Sequence, residues 1–319
     1  MVPVEHYFLG VDGGQSSTTA LIGDAGGRVL GCGRAGACNH VGGPEGLAKF
    51  LDAVESSLAG ARTQAGLPAT VVFEAACLGF SGGEADKRRI LEEQLATRRL
   101  IVTHDAMIAL AGATAGAPGI IAIAGTGSIA FGRNADGRTA RAGGWGYIFG
   151  DEGGGFDLVR QALRAALRME EGWGPPTALR RVLLDAAGAA DANDLLHRFY
   201  TTEFPRPRIA AFAALVDQAA RAGDAVAREI LHQAAQQLAT FGGAVRGQLF
   251  EPGREAVVAY IGGVFASEIL RERFRALVEM EEGNRFGTPA YGPAAGALLE
   301  AYAVAGLHPS LSQLPELEK

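Results

Sequence analysis

Three lysines, three cysteines and no long apolar run free of glycine are found in 319 residues. Each shortage excludes a class of function. Lys49, Lys87 and Lys319 all lack a preceding glycine, so the chain has no GxxxxGK[ST] P-loop and no P-loop lysine. Cys32, Cys38 and Cys77 are an odd set without CxxC spacing. They argue against a zinc site, an iron–sulfur cluster or a disulfide framework, and read as the reduced thiols of a cytoplasmic protein. Lys and Arg form no cluster, and a formal charge of -6 offers no basic field to a nucleic-acid backbone, so nucleic acid is not an expected partner. The opening "MVPVEHYFLGVDGG" has neither a basic n-region nor a long apolar h-region, and no later stretch suits a bilayer span, so no membrane partner is expected either.

What remains is an ordinary globular composition, 48% hydrophobic and 20% charged, with 46 glycines. The length suggests two medium domains. "HYFLGVDGG" and "STTALIGDAGGRVLGCGRAG" read as three consecutive strands joined by glycine turns, the second at Asp24–Gly27. Leu47, Phe50, Leu51, Val54 and Leu58 then recur at helical spacing. "ATVVFEAACLGFSGG", "EADKRRILEEQLATR", "RLIVTHD" and "AMIALAGATAG" complete a βββαβαβα order. After Ala117-Pro118, "GIIAIAGTGSIAFGRNADGRTARAGG" repeats the opening theme of strand, glycine turn, strand, hairpin and strand. This is an internal repeat of architecture, with a first domain over 1–117 and a second over 118–319. Four segments between Phe156 and Phe250 carry helical periodicity, so the second domain is enlarged by helices. "EAVVAYIGGVFAS" returns to strand, Gly-Gly turn and helix, and "TPAYGPAAGALLEAYAVAG" closes as an alanine-rich helix that could pack back on the first domain.

Three strand ends run into glycine turns: "GVDGGQSSTTA", "AIAGTGSIA" and "YIGGVFAS". Glycine lets backbone N–H groups approach a phosphate, and Ser or Thr hydroxyls add donors. Each loop alone is equally an ordinary hairpin, and the recurrence of the first two at equivalent places in the repeat favours a polyphosphate. Asp12 reads either as a turn residue or as a carboxylate holding hydrated Mg²⁺. Asp105 reads either as a helix N-cap or as a base at the carboxyl end of a strand. His104 beside it reads as structural, and Asn39 as a helix cap or a partner for sugar hydroxyls. "GGWGYIFGDEGGG" (Gly143–Gly155) reads as a connector or as a loop folded around a small polar ligand.

Taken together, "GVDGGQSSTTALIGDAGGRVLG", "NH", "THDA", "GIIAIAGTGSIAFG", "GGWGYIFGDEGGGFDLVRQALRA" and "IGGVFAS" resemble the N-acetylglucosamine kinase branch of the BadF/BadG/BcrA/BcrD ATPase family. The likeness runs from about Phe8 to about Ala305. It implies an α/β fold of two ribonuclease-H-like (actin-like ATPase) domains around a central cleft. It also implies a cytoplasmic homodimer that uses ATP and Mg²⁺ to phosphorylate the 6-hydroxyl of an amino sugar. Carried over by motif, Asp105 is the catalytic base. Gly13, Gly14, Ser16 and Thr18 form the first phosphate loop, with Asp12 toward the metal. Gly125, Thr126, Gly127 and Ser128 form the second, and Gly262, Gly263 and Ala266 lie against the adenosine. Asn39, Asp105, Thr126, Gly144, Trp145 and Asp151 hold the sugar. The family's electron-transferring activators need paired cysteines for a cluster, and Cys32, Cys38 and Cys77 do not supply them. An ATP-driven switch acting on a protein partner is the second reading.

Overall fold

The computed structural model describes residues 6–14, 17–38, 41, 43–81 and 85–318. Contacts divide the chain into two compact units, one of Met1–Ala117 with Thr288–Lys319 and one of Pro118–Gly287. The second unit therefore ends at Gly287 rather than at 319.

In the first unit, β1 (Tyr7–Gly13), β2 (Thr18–Asp24), β3 (Val29–Ala35), β4 (Ala75–Phe80) and β5 (Leu100–His104) form one sheet in the order β3-β2-β1-β4-β5. The first three strands pair antiparallel, and β4 and β5 continue parallel to β1. Strand alternation decides which layer each β1 side chain enters. Leu9 and Val11 join Phe50, Leu58 and Leu78 under α1 (Gly43–Ala65). Phe8 on the other face joins Ile108 of α3 (Asp105–Ala113) and Tyr302 of α11 (Pro293–Val304). Both faces of the sheet are covered, which explains the near-continuous apolar run of β1. The helix α2 (Ala85–Gln94) leads from β4 to β5.

Contact between α11, β1 and α3 is backbone to backbone. A Cβ at Gly10 would stand 2.3 Å from Leu298 N, and one at Gly296 1.9 Å from Ile108 O. Residues 288–319 are thus a built-in part of the first core. The Tyr302 hydroxyl donates to Asp24 O at 2.6 Å, tying the same helix to the β2 end.

The second unit repeats the plan. Its strands β6 (Gly119–Ala124), β7 (Ser128–Arg133), β8 (Thr139–Gly143), β9 (Ala256–Ile261) and β10 (Asn284–Gly287) lie in the order β10-β9-β6-β7-β8, again with three antiparallel strands followed by two parallel ones. The repeat extends to turn chemistry. Asp24 Oδ1 accepts from the N–H groups of Gly26 and Arg28, and Asn134 Oδ1 accepts from those of Asp136 and Arg138. Both second hairpins are closed by the same side-chain turn.

Between β8 and β9 stand α4 (Gly155–Glu170), α5 (Leu179–Ala187), α6 (Ala192–Phe199), α7 (Arg206–Ala211), α8 (Ala213–Arg221) and α9 (Ala225–Leu249), with α10 (Glu268–Val278) after β9. Two features depart from the periodicity reading. The "RIAAFAALVDQAARAG" segment is two helices, because Phe212 N donates to Ile209 O and Leu215 N to Phe212 O. These i→i+3 bonds tighten the chain where Phe212 meets Phe199 and Phe204. The short α6 and β10 are additional, α6 being started by the Asp191 carboxylate accepting from Asp194 N.

Candidate active site

The carboxyl ends of β1, β4 and β5 carry the chemistry of the first unit. Asp105 is the first residue of α3, and the cap is His104, whose Nδ1 accepts from Met107 N at 3.2 Å. Asp105 Oδ1 accepts from the adjacent Ala106 N–H at 2.8 Å, and the cap position is filled by His104. Asp105 is exposed, yet the protein around it displaces enough water to push its carboxyl above the usual value.

Asp12 is pushed up to about 7, first by burial, then by Glu318 and by Asp105. Glu318 itself is buried and raised by burial. Its carboxylate accepts from Ala295 N at 2.9 Å and so supplies the cap that Gly292 cannot give to α11. Lys87 is a further charged group here. It is 1% exposed, donates to Ser81 O at 2.6 Å and stands 5.2 Å over the Phe80 ring. Burial lowers its pKa. The fold thus brings three carboxylates and one buried ammonium to one end of one sheet.

The first glycine loop is only partly a donor surface. Gly14 N donates to Ser17 O, and Gly14 O accepts from Cys38 N. A Cβ at Gly13 would meet the Phe80 ring at 2.4 Å, so packing alone accounts for that glycine. Thr18 is fully buried and its hydroxyl donates to Gly36 O at 2.8 Å, which turns it away from any phosphate. Ser16 and Asn39 lie outside the described residues. Burial pushes the Cys38 thiol up to about 11, far from a reactive thiolate.

In the second unit, the β6–β7 turn and the turn after β9 open onto a pocket of about 540 Å³. Gly125 and Thr126 line one side, and Gly263, Val264 and Ala266 another. Ideal Cβ atoms at Gly125 and Gly263 would have no heavy atom within 4 Å, so these are places where a ligand can lie directly on backbone. Gly262 serves the chain instead: its φ is +112° and a Cβ would sit 2.3 Å from Ala124 O. Ser128 is buried and its hydroxyl donates to Glu152 O at 2.6 Å, which joins the turn to the next loop.

That next loop is Gly143–Gly155, and it is a folded structure. Gly144, Gly146 and Gly153 adopt φ of +73°, +79° and +78°, and Asp151 adopts +64°. Gly144 N donates to Ser128 O, Gly155 N to Gly125 O and Phe156 N to Thr126 O. The loop and the β6–β7 turn therefore hold each other. Asp151 is 5% exposed and pairs with Arg206 from α7. A Cβ at Gly127 would fall 2.4 Å from the Asp151 carboxylate, so the pair needs that glycine. Trp145 is largely exposed, with the Arg141 guanidinium 4.8 Å from its ring centre.

The sequence profile of the BadF/BadG/BcrA/BcrD ATPase family matches residues 9–301. The chain belongs to this family. An N-acetylmuramic acid/N-acetylglucosamine kinase of Clostridium acetobutylicum is 36% identical over 212 residues, 65% of this chain and 69% of the relative. An N-acetyl-D-glucosamine kinase of Dictyostelium discoideum is 29% identical over 251 residues, 73% of this chain and 77% of the relative. Among solved structures, a candidate N-acetylglucosamine kinase of Chromobacterium violaceum superposes with a TM-score of 0.75 at 33% identity, covering 93% of this family member and 99% of that chain.

Four residues of this BadF-family chain escaped the sequence reading. Lys87 stands in the segment "EADKRRILEEQLATR", Arg206 between the prolines of "FPRPR", Asp217 in "RIAAFAALVDQAARAG" and Glu318 in the closing "LPELEK".

Proposed function

We propose that the protein transfers the γ-phosphoryl group of ATP to the 6-hydroxyl of N-acetylglucosamine, with N-acetylmuramic acid and glucosamine as the nearest alternative acceptors. The observation that carries this reading is the 36% identity to a relative named for N-acetylmuramic acid and N-acetylglucosamine. It is supported by an exposed carboxylate at the β5–α3 junction and by a nucleoside-sized pocket against two glycine turns.

In this mechanism Asp105 accepts the proton of the sugar hydroxyl as its oxygen attacks the γ-phosphorus and ADP leaves. Gly125, Thr126 and Gly127 offer backbone to the phosphates, and Gly263 to Ala266 carry the adenosine. Gly144, Trp145 and Asp151 hold the sugar, with Arg206 fixing the Asp151 carboxylate. Water is excluded from the reacting groups so that hydrolysis does not compete.

Mg²⁺ fits the donor chemistry. Among the described residues no three His, Cys, Asp or Glu side chains converge as a direct ligand set. A single carboxylate such as Asp12, crowded by two others, suits a cation that keeps most of its water. Bound there, it would neutralise charge on the phosphates. We also assign the protein to the cytoplasm and to a homodimer, the first supported by an odd set of cysteines without CxxC spacing. Sedimentation tests the second.

The direct test is ADP release with a sugar panel. N-acetylglucosamine should stimulate release far above the sugar-free rate and yield a product phosphorylated at carbon 6 by phosphorus–proton coupling. If no amino sugar stimulates release, the kinase reading fails, and stimulation by a protein partner alone would favour the switch.

A further inference from the structure

The 540 Å³ pocket continues past the glycine turns along α8, and its chemistry changes there. Near the turns the wall is backbone. Beyond them Pro207, Ala210, Ala214 and Leu231 offer flat apolar surface and no side-chain donor or acceptor. Asp217 interrupts that surface with a carboxylate whose side chain is 15% exposed, beside Gln218, Arg221 and Ser267 of the same lining.

The carboxylate is held from both ends. Oδ2 accepts from Arg221 Nε one turn on at 2.8 Å, and Oδ1 accepts from the hydroxyl of Ser267, the N-cap of α10. These bonds fix its rotamer and use one acceptor direction on each oxygen. An ionised carboxylate has about four such directions, so two remain for a ligand. Two adjacent, fixed acceptors beside an apolar slot match a vicinal diol next to a flat ring.

We infer that Asp217 reads the ribose diol of the bound nucleotide and makes the protein selective for ribonucleotides over 2′-deoxyribonucleotides. This rests on the nucleotide reading of the pocket given above. A hydrogen bond to a charged acceptor is among the stronger ones, so losing the one made by the 2′-hydroxyl supplies the discrimination. Arg221 and Ser267 act through Asp217 as positioning residues.

The test is equilibrium binding of ADP and 2′-deoxy-ADP to the intact protein by calorimetry, which needs no phosphoryl acceptor. The wild type should bind ADP at least about tenfold more tightly than 2′-deoxy-ADP. Asp217→Ala should bring the ratio to about one by weakening ADP. Asp217→Asn, which keeps the volume and one acceptor oxygen, should leave no more than about threefold. Ser267→Ala should keep most of the preference. A wild-type ratio near one, or a preference unchanged in Asp217→Asn and Asp217→Ala, overturns the assignment while leaving the kinase reading intact. Failure of both nucleotides to bind would take down the nucleotide reading and the assignment with it.

Discussion

Replacing Arg206 by methionine keeps most of the side-chain volume and removes the cation from Asp151. Asp151 is 5% exposed and its backbone is held at φ +64°, so the carboxylate cannot swing out to water without unwinding the loop. Breaking a buried pair from one side costs about 3–5 kcal/mol, chiefly through the charge left behind. The Arg206 side chain is one-third exposed, which lowers its own share, while the Asp151 side chain at 8% keeps its full penalty. About 3 kcal/mol is therefore expected for Arg206→Met. Loss of the stacking of Arg206 over Tyr147 adds a few tenths to about 1 kcal/mol. In Asp151→Asn the charge is gone, so adding Arg206→Met should cost little more. The assay is urea unfolding at pH 7 followed by circular dichroism, for both single variants and the double. A coupling of about 2 kcal/mol is expected. Strictly additive costs, or a loss below about 0.5 kcal/mol for Arg206→Met, would refute the reasoning, because an exposed surface pair behaves that way.

Gly296→Ala should lower stability by roughly 2 kcal/mol or more despite a helix-propensity gain near 1, since its Cβ would meet Ile108 O at 1.9 Å. Gly243→Ala on α9, with nothing within 4 Å, should raise stability by about 0.5–1 kcal/mol, and thermal melts compare the two. In the proposed role of base, Asp105 must be ionised, so kcat/KM should fall as pH drops through its raised pKa. Lys87→Met, which removes a cation that lowers that pKa, should move this acid limb to higher pH, and an unmoved limb counts against it. Asp12, Asp105 and Glu318 all hold their protons more tightly folded than unfolded. The resulting stability is complete below the ordinary carboxylate value and is lost as pH rises toward about 7 for Asp12. Metal-free melts should therefore weaken from pH 4 to pH 7.5, with a smaller drop in Asp12→Asn.

The doubled sheet was legible because its signals are local. A strand such as "GIIAIA" and turns such as Asn134–Gly137 and Asp24–Gly27 specify their geometry within a few residues. The β6–β7 turn was legible for the same reason, whereas Gly143–Gly155 read equally as a connector and its fold rests on bonds to that turn. Side-chain direction was not legible. Thr18 and Ser128 sit in motifs that read as phosphate donors, yet strand alternation turns both hydroxyls into the protein, toward Gly36 and Glu152. Partners distant in sequence were also hidden: Arg206 is 55 residues from Asp151 and Asp217 is 50 from Ser267. β10 has four residues and only sheet pairing to define it, and no periodicity emerges from so short a segment.

The closing of the first core by α11 bears on how the chain is made. On the ribosome, the layer of Phe8, Leu21 and Ile108 emerges long before Leu298 and Tyr302, which complete it. The second unit, Pro118–Gly287, is continuous and has every strand of its sheet once Gly287 has left the exit tunnel. The order of maturation is thus inverted relative to ordinary N-terminal-first domain folding. During that interval the apolar face of β1 that carries Phe8 lacks the helix that covers it in the finished fold.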